Sequence, residues 1–300
     1  MMKNILVTGG TTFVSKFVAE YFSADNNVFV LNRNTKKQLD NVTLIESDRH
    51  ALGNSLRSMS FDAVIDVTAY YEHDVNDLLD SIGEVEDYVM ISSSAVYPET
   101  QRQPFDVNTP LGRNSHWGDY GVNKIKAEKA LHSRAENAYI LRPPYLYGKY
   151  NNVYREAFVF DRALEEKPFF VPKNGEMKLQ FFDVEDLCRV IGIILDSHPS
   201  ERIINVGNRE AVSIIDWVKL CYDAVGAPLE LKYVDHDTDV RKYFPFRDYE
   251  YYLNVKKQYE LLNETKPLPI GIKDAYEWYR NNKPEVNKKP FSAYIDEYLC

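Results

Sequence analysis

Short, continuous apolar runs alternate with amphipathic helical segments along the first half of the chain. The runs lie at Asn4–Thr8, Val28–Asn32, Val42–Glu46, Asp62–Val67, Tyr88–Ser92 and Ala138–Arg142. Helical apolar spacing occupies Phe13–Phe22, Asp74–Ser81 and Tyr120–Ala135. Strands that are apolar on both sides are typical of a parallel sheet whose two faces are covered by helices. We therefore predict an α/β fold built on a doubly wound parallel sheet.

The regular alternation weakens after Pro143, where prolines, glycines and tyrosines become frequent. Helical patterns recur at Tyr154–Glu166, Val184–Asp196, Ser213–Val225 and Asp274–Asn281. We predict a core at residues 1–150 and a smaller mixed α/β lobe at 151–300, some of whose segments return to the core.

Composition and charge exclude several classes of function. A chain of 300 residues with 44% hydrophobic residues can bury a large core. Its net charge of −9 argues against a nucleic-acid partner. The three cysteines have no metal-ligand spacing, so we predict no metal site. The start of the chain runs directly into a strand, and no apolar run is of membrane-spanning length, which predicts a cytoplasmic protein without a membrane partner.

A glycine turn joins the first strand to the first helix. Ile5–Ser15 reads as strand, turn and helix, with Gly9 and Gly10 in the turn and Thr12, Phe13 and Val14 at the helix start. Backbone N–H groups at such a helix N-terminus attract a pyrophosphate. The turn therefore favours a nucleotide site, with a plain strand-to-helix turn as the alternative.

Tyr120 and Lys124 are spaced by four residues on a predicted helix and so share one face. An ammonium near a phenol favours the phenolate and lowers the Tyr pKa from about 10. This makes the phenol a usable general acid or base near neutral pH. Because the spacing is common, a solvated helix face is the alternative.

These motifs together resemble the extended short-chain dehydrogenase/reductase family, the NAD-dependent epimerase/dehydratase group. The glycine turn is similar to the family's T-G-x-x-G-x-x-G loop, except that Thr12 and Ser15 replace the second and third glycines. Further similar segments follow in order at Ile91–Tyr97, Tyr120–Lys124, Leu141–Gly148, Gln180–Leu187 and Asn205–Gly207. The resemblance implies a Rossmann-type core that binds a dinucleotide and a C-terminal lobe that binds substrate.

The resemblance also implies the residues of the site. Tyr120 would exchange a proton with the substrate, Lys124 would lower the Tyr pKa and bind the nicotinamide ribose, and Ser93 would orient the substrate oxygen. The implied cofactor-binding residues are Gly9, Gly10, Thr12, Phe13, Val14, Asn32, Arg33, Asp48, Arg49, Thr68, Ala69, Lys124 and Pro143. The predicted cofactor is NAD or NADP. NADP is favoured because Asn32-Arg33 stands where an acidic residue would bind the ribose of NAD.

The substrate is the least determined part of the prediction. Tyr145 stands where many nucleotide-sugar members have an asparagine, which counts against a standard UDP-sugar 4-epimerase. Asn152, Arg155 and Lys178 are further candidates, and the last two would pair with an anionic group or form surface salt bridges.

The predicted function is an NAD(P)-dependent oxidoreductase, epimerase or dehydratase that acts on a sugar-like or other polar carbonyl or hydroxyl substrate. Two alternatives remain: a sensor of NAD(P) without turnover, and an RNA-associated member of the kind found in chloroplasts. The resemblance also suggests homodimers that form through the helix of Tyr120.

Overall fold

Parallel strands dominate the protein, as seen in a computed structural model that describes residues 2–235 and 238–300. The strands are β1 Asn4–Thr8, β2 Asn27–Asn32, β3 Thr43–Glu46, β4 Ala63–Asp66, β5 Asp87–Ile91, β6 Tyr139–Arg142, β7 Tyr145–Tyr147, β8 Phe169–Pro172, β9 Lys178–Leu179, β10 Phe181–Asp183, β11 Ile203–Asn205, β12 Val212–Ser213 and β13 Leu231–Val234. The helices are α1 Phe13–Phe22, α2 Glu72–Ser81, α3 Asp119–Arg134, α4 Glu156–Leu164, α5 Val184–Ser197, α6 Ile214–Val225, α7 Lys256–Leu261, α8 Leu268–Asn282 and α9 Phe291–Tyr298.

The main sheet has seven parallel strands in the order β11-β6-β5-β4-β1-β2-β3. The chain moves outward from β1 to β3 and then returns to place β4 on the other side of β1. The carboxyl ends of β1 and β4 therefore part at a switch point, where open α/β sheets bind ligands. This architecture confirms the predicted Rossmann-type doubly wound sheet.

Burial explains why the sheet strands are continuously apolar. Every residue of β4, β5 and β6 is buried, and so is β1 after Asn4. Strands enclosed on both faces gain from β-branched and leucine side chains at every position rather than at alternate ones.

The chain forms two compact units. The first unit comprises Met1–Pro144, Val184–Gly207 and Leu253–Thr265, and includes the seven-stranded sheet. The second unit comprises Tyr145–Asp183, Asn208–Tyr252 and Lys266–Cys300.

The second unit is built around short strand pairs and aromatic side chains. β7 pairs with β10 and β8 with β13 in parallel, whereas β9 pairs with β12 antiparallel. The rings of Phe181 and Trp217 are stacked with their centroids 5.4 Å apart, and Phe246 meets Trp217 edge-on at 4.8 Å. The aromatic stretch from Tyr243 to Tyr251 thus supplies core side chains to this unit.

Two helix boundaries have clear local causes. Ser213 caps α6, since its Oγ accepts a hydrogen bond from the Asp216 N–H at 3.0 Å, and Gly226 ends the helix in the left-handed conformation. Helix α8 begins at Leu268, six residues before the predicted start, because proline is favoured in a first helical turn. Among the described residues, no helix is both long and apolar enough to span a membrane.

Candidate functional site

A cavity of about 390 Å³ lies in the first unit at the carboxyl ends of β1 to β4. Its lining includes the ends of β1 and β2 and residues of the loops that follow all four strands. Of the predicted cofactor-binding residues, the lining contains Gly9, Thr12, Asn32, Arg33, Asp48, Arg49 and Thr68. Within the described residues, the lining of this cavity does not include Gly10, Phe13, Val14, Ala69, Lys124 or Pro143.

The glycine turn approaches β2 and the loop after β4 closely. Gly9 and Gly10 have φ values of +94° and +90°, which favour glycine. A Cβ on Gly10 would lie 2.5 Å from Val30 Cγ1, so its role is packing against β2. A Cβ on Gly9 would lie 3.2 Å from the Thr68 methyl. Of the two glycines, Gly9 lines the cavity, so its backbone lies where a bound pyrophosphate would meet the start of α1.

The two replaced glycines have different consequences. Thr12 has φ −144° in extended backbone, so the chain does not need glycine there for its conformation. Its Oγ1 accepts a hydrogen bond from Lys36 Nζ at 3.0 Å at the cavity wall. Ser15 is buried, and its hydroxyl donates to the Thr12 carbonyl at 2.9 Å. Serine therefore permits the close packing of α1, and the altered chemistry at the cavity is that of Thr12 and Lys36.

The helix start itself is strained at one residue. Phe13 opens α1 with φ +37°, an uncommon value for a side chain of this size. Val14 follows in the first turn and is partly buried.

The end of β2 presents an amide and an exposed cation. Asn32 Nδ2 donates to the Gly9 carbonyl at 2.7 Å and to Gln38 Oε1 at 3.0 Å, which ties the loop after β2 to the glycine turn. Arg33 is exposed at the cavity and, among the residues the structure describes, makes no hydrogen bond or ion pair. Arg33 and Lys36 therefore bring two positive charges to this wall.

Arg49 forms a buried ion pair beneath the cavity. Its guanidinium contacts both Asp66 oxygens at 3.1 Å and donates to Thr68 Oγ1 at 2.7 Å. Burial alone would raise the pKa of Asp66, but Arg49 and hydrogen bonds from Tyr88 and Thr8 hold that pKa below its usual range. Arg49 thus braces the cavity floor. Asp48 accepts the His50 N–H at 3.0 Å, which shapes the loop above it.

Lys124 is buried between two strand ends of the same sheet. Its Nζ donates to the carbonyls of Ala69 at 2.7 Å and Ile91 at 2.9 Å, after β4 and at the end of β5. Burial lowers the pKa of Lys124 to about 8, although the carboxylates of Asp66 and Glu128 act to raise it. The ammonium is thus fixed beside the cavity region by backbone groups.

A third side chain, that of Tyr70, lies close to both Tyr120 and Lys124. The Tyr70 ring centroid lies 4.9 Å from Lys124 Nζ and 6.4 Å from the Tyr120 ring centroid. Tyr120 is 38% exposed, whereas Lys124 is 2% exposed. Tyr70 could not be predicted from the sequence, because the contact between Tyr70 and Lys124 joins distant parts of the chain.

Ser93 lies at the end of the strand that precedes this helix. Its Oγ accepts the Ala95 N–H at 3.1 Å and caps a single 3-10 turn at Ser94–Val96. The Pro143 carbonyl accepts the Ser94 N–H at 2.9 Å and holds the turn from the other side. Gly121 allows α3 to touch this turn, since a Cβ there would lie 2.2 Å from the Ala95 carbonyl oxygen.

A buried polar network lies beneath these residues. Arg142 donates to both Glu128 oxygens, at 3.0 and 2.6 Å, and to the Tyr97 hydroxyl at 2.8 Å. The Tyr97 hydroxyl donates to Asn205 Oδ1 at 2.8 Å, and the Ser92 hydroxyl donates to Glu128 at 2.5 Å. Three of the sequence motifs therefore converge with Glu128 of α3 on one hydrogen-bonded network, which places α3 against β5 and β6.

The residues predicted to bind substrate belong to the second unit. Tyr145 is 4% exposed, and the Arg155 guanidinium lies 4.7 Å from its ring centroid. The Asn152 carbonyl accepts the Asn287 N–H at 2.9 Å. Lys178 is exposed, and its backbone N–H donates to Glu250. The structure brings Tyr145 and Arg155 together.

One group of described side chains has metal-ligand chemistry. Ligand atoms of His50, His73 and Asp74 lie within 4.8 Å of one another. Asp74 Oδ1, however, lies 3.5 Å from Arg49 Nε, so a guanidinium already occupies one side of this oxygen.

Comparison with known proteins identifies the family. Residues 5–207 match the sequence profile of the NAD dependent epimerase/dehydratase family. The chloroplast stem-loop binding protein of 41 kDa b from Arabidopsis thaliana is 26% identical over 304 residues, which covers 91% of this chain and 78% of that protein.

Two solved structures show the same fold. UDP-glucose 4-epimerase from Thermotoga maritima, solved with UDP-glucose, has a TM-score of 0.76 at 20% identity and covers 93% of this chain and 99% of its own. UDP-glucuronic acid 4-epimerase from Bacillus cereus, solved with UDP-glucuronic acid and NAD, has a TM-score of 0.72 at 18% identity with the same coverage. The profile match covers more than half of the chain, which therefore belongs to the NAD dependent epimerase/dehydratase family, the predicted class of NAD(P)-dependent enzyme with an unassigned substrate.

Proposed function

We propose that the protein binds NADP or NAD in the cavity of the first unit and uses Tyr120 as a general acid or base on a sugar-like substrate. One observation carries the proposal: the Lys124 ammonium is fixed by the end of β5 and by Ala69 in the loop after β4, a loop whose Thr68 and Tyr70 line the cavity. A buried ammonium at this place suits a ribose hydroxyl and a phenolate.

Each residue of the proposed site has a distinct task. Tyr120 holds or releases the proton of a substrate hydroxyl through its phenol oxygen. Lys124 favours the phenolate electrostatically and donates to a ribose hydroxyl. Ser93 orients the substrate oxygen by a hydrogen bond. The nicotinamide, when bound, supplies hydride acceptance or donation.

The charges at the end of β2 favour NADP over NAD. NAD-binding folds place a carboxylate there to accept from the ribose hydroxyls. Here Asn32 directs its amide toward Gly9, and Arg33 and Lys36 stand beside it. The segment Asn32–Lys36 at the end of β2 carries two cations and no carboxylate, which suits a 2′-phosphate better than a free 2′-hydroxyl.

Positive charge in the second unit favours an anionic substrate. Arg155, Arg241 and Arg247 all act to lower the pKa of the Tyr145 hydroxyl, although burial raises it overall. The pKa of Arg241 is itself lowered, first by burial and also by Arg247 and Arg155. A bound phosphate or carboxylate would reduce the mutual repulsion of these guanidinium groups. We propose that the substrate carries such a group.

The experiment combines cofactor binding with turnover. NADH and NADPH are titrated by fluorescence into the wild type and Tyr120→Phe. Both proteins are then incubated with nucleotide-activated sugars and with the oxidised or reduced cofactor, and the products are separated by chromatography against sugar standards and read by mass spectrometry, because epimers have equal masses. We expect Tyr120→Phe to bind cofactor within about twofold of the wild type and to lose turnover by 100-fold or more, since a positioned acid or base contributes about 10²–10⁴-fold.

The outcomes separate the alternatives. Cofactor binding with full turnover by Tyr120→Phe would remove Tyr120 from the chemistry. Cofactor binding without turnover on any substrate would favour a sensor of NAD(P). Absence of binding by both reduced cofactors at millimolar concentration would end the proposal.

A second candidate is an RNA-associated function. It is favoured by the similarity to the Arabidopsis stem-loop binding protein over 91% of this chain. It is opposed by the net charge of −9, because phosphate contacts dominate RNA affinity. Filter binding of a stem-loop RNA at low salt distinguishes it from the first proposal.

A further inference from the structure

Tyr70 lies between the cavity and the proposed catalytic side chains. It lines the cavity wall near Thr68 and Asp74. Its ring lies over the Lys124 ammonium at 4.9 Å, within the range of a cation–π contact, and it is 47% exposed. Tyr70 therefore contacts both the cavity and the Lys124 ammonium.

Two of the three hydrogen-bond donors of the Lys124 ammonium are already used. An ammonium has three N–H donors. Two are directed at the Ala69 and Ile91 carbonyls, and the side chain as a whole is 2% exposed. Among the described residues the third N–H has no hydrogen-bond acceptor, and the Tyr70 ring lies 4.9 Å from the nitrogen.

We propose that Tyr70 is a gate on Lys124, which must swing aside before the ribose next to the nicotinamide can reach the Lys124 ammonium. This inference rests on the proposed function and adds to it a residue that regulates cofactor entry. The adenosine end enters the open cavity first, and displacement of the Tyr70 ring completes binding.

The side chain of Tyr70 is free to move while its backbone is held. The Tyr70 N–H donates to Asp74 Oδ2 at 2.7 Å, beside the matching bond from Tyr71 at 2.8 Å. Within the part of the chain that the structure describes, the Tyr70 hydroxyl makes no hydrogen bond. Rotation about the side-chain torsions thus breaks the contact with Lys124 and leaves α2 in place.

The test compares a whole dinucleotide with its adenosine half. Isothermal titration measures the dissociation constants of NADPH and of adenosine 2′,5′-bisphosphate for the wild type, Tyr70→Ala and Tyr70→Phe. The bisphosphate lacks the nicotinamide ribose and so does not need Lys124. We expect Tyr70→Ala to bind NADPH about 3- to 5-fold more tightly, the gain from losing a modest cation–π cover.

The controls make the result specific. Bisphosphate affinity should stay within twofold in all three proteins, which also reports that the cavity is folded. Tyr70→Phe keeps the aromatic cover and should match the wild type for both ligands. NADPH affinity that is unchanged or weakened in Tyr70→Ala, with bisphosphate affinity intact, would overturn the gate. Failure of the wild type to bind either ligand would instead overturn the proposed NADP site.

Discussion

Lys124 places an ammonium on two backbone carbonyls inside the first unit, where 2% of the side chain is exposed. Burial lowers the pKa of Lys124 from 10.5 to about 8. Below pH 8 the lysine is charged in both the folded and unfolded chains. Between pH 8 and 10.5 the unfolded chain keeps a proton that the folded protein has lost, so the free energy of unfolding rises with pH through this window.

The contribution of Lys124 to stability is therefore predicted to depend on pH. The difference in free energy of unfolding between the wild type and Lys124→Met should rise by about 2 kcal/mol from pH 7 to pH 9.5. Urea unfolding at the two pH values measures it. Lys126→Met removes an exposed lysine from the same helix and should show no such rise. A difference for Lys124→Met that stays level with pH would mean that this ammonium is not desolvated.

At the scale of one element, α3 depends on a close approach that only glycine permits. A Cβ on Gly121 would lie 2.2 Å from the Ala95 carbonyl oxygen, an atom of the backbone that cannot turn aside. We expect Gly121→Ala to lower the free energy of unfolding by about 1–3 kcal/mol, the usual cost of overpacking. The same change should displace the neighbouring Tyr120 and reduce turnover.

Gly192 in α5 provides a matched control. A Cβ at this helical glycine would meet nothing within 4 Å. Gly192→Ala should therefore raise the free energy of unfolding by about 0.5–1 kcal/mol through helix propensity alone. Urea unfolding of both variants checks the prediction. If Gly121→Ala raised the free energy of unfolding as much as Gly192→Ala does, α3 would have room to shift.

Most helices and strands of the first unit could be predicted, because its buried strands are continuous apolar runs and its longer helices show a helical period. The three-residue β11 and the six-residue α7 of this unit could not. The bounds predicted for α1, Phe13–Phe22, and for β1, Asn4–Thr8, are those of the structure. The pairs β9–β12 and β7–β10 of the second unit were not predicted, since strands of two or three residues contain no repeat. Their pairing depends on contacts between distant residues.

The candidate site shows the same limit. Glycines and strand ends of the cavity are adjacent to recognisable motifs, so residues such as Gly9 and Arg33 could be predicted. Tyr70 and Lys36 could not, because each is defined by a contact across the fold, with Lys124 and with Thr12 respectively.

At the scale of the whole molecule, ligand binding and unfolding are linked. A ligand that binds only the folded state stabilises it by about 2.7 kcal/mol at 100 times its dissociation constant. For a chain of this size that corresponds to a rise in the melting temperature of about 5 °C. The melting temperature measured by calorimetry with each cofactor therefore shows which cofactor the protein prefers, and no substrate is needed.

Arg33 decides that preference in the proposed site. We expect NADPH to raise the melting temperature more than NADH at the same concentration in the wild type, because only NADPH offers a 2′-phosphate to the exposed guanidinium. In Arg33→Ala the rise with NADPH should fall towards that with NADH, with Lys36 as the cation that remains, while the rise with NADH stays unchanged. Lys37→Ala removes an exposed cation from the same loop, outside the cavity lining, and should leave both rises as they are. An equal loss for both cofactors in Arg33→Ala would assign the arginine to the common part of the dinucleotide and remove the preference for NADP.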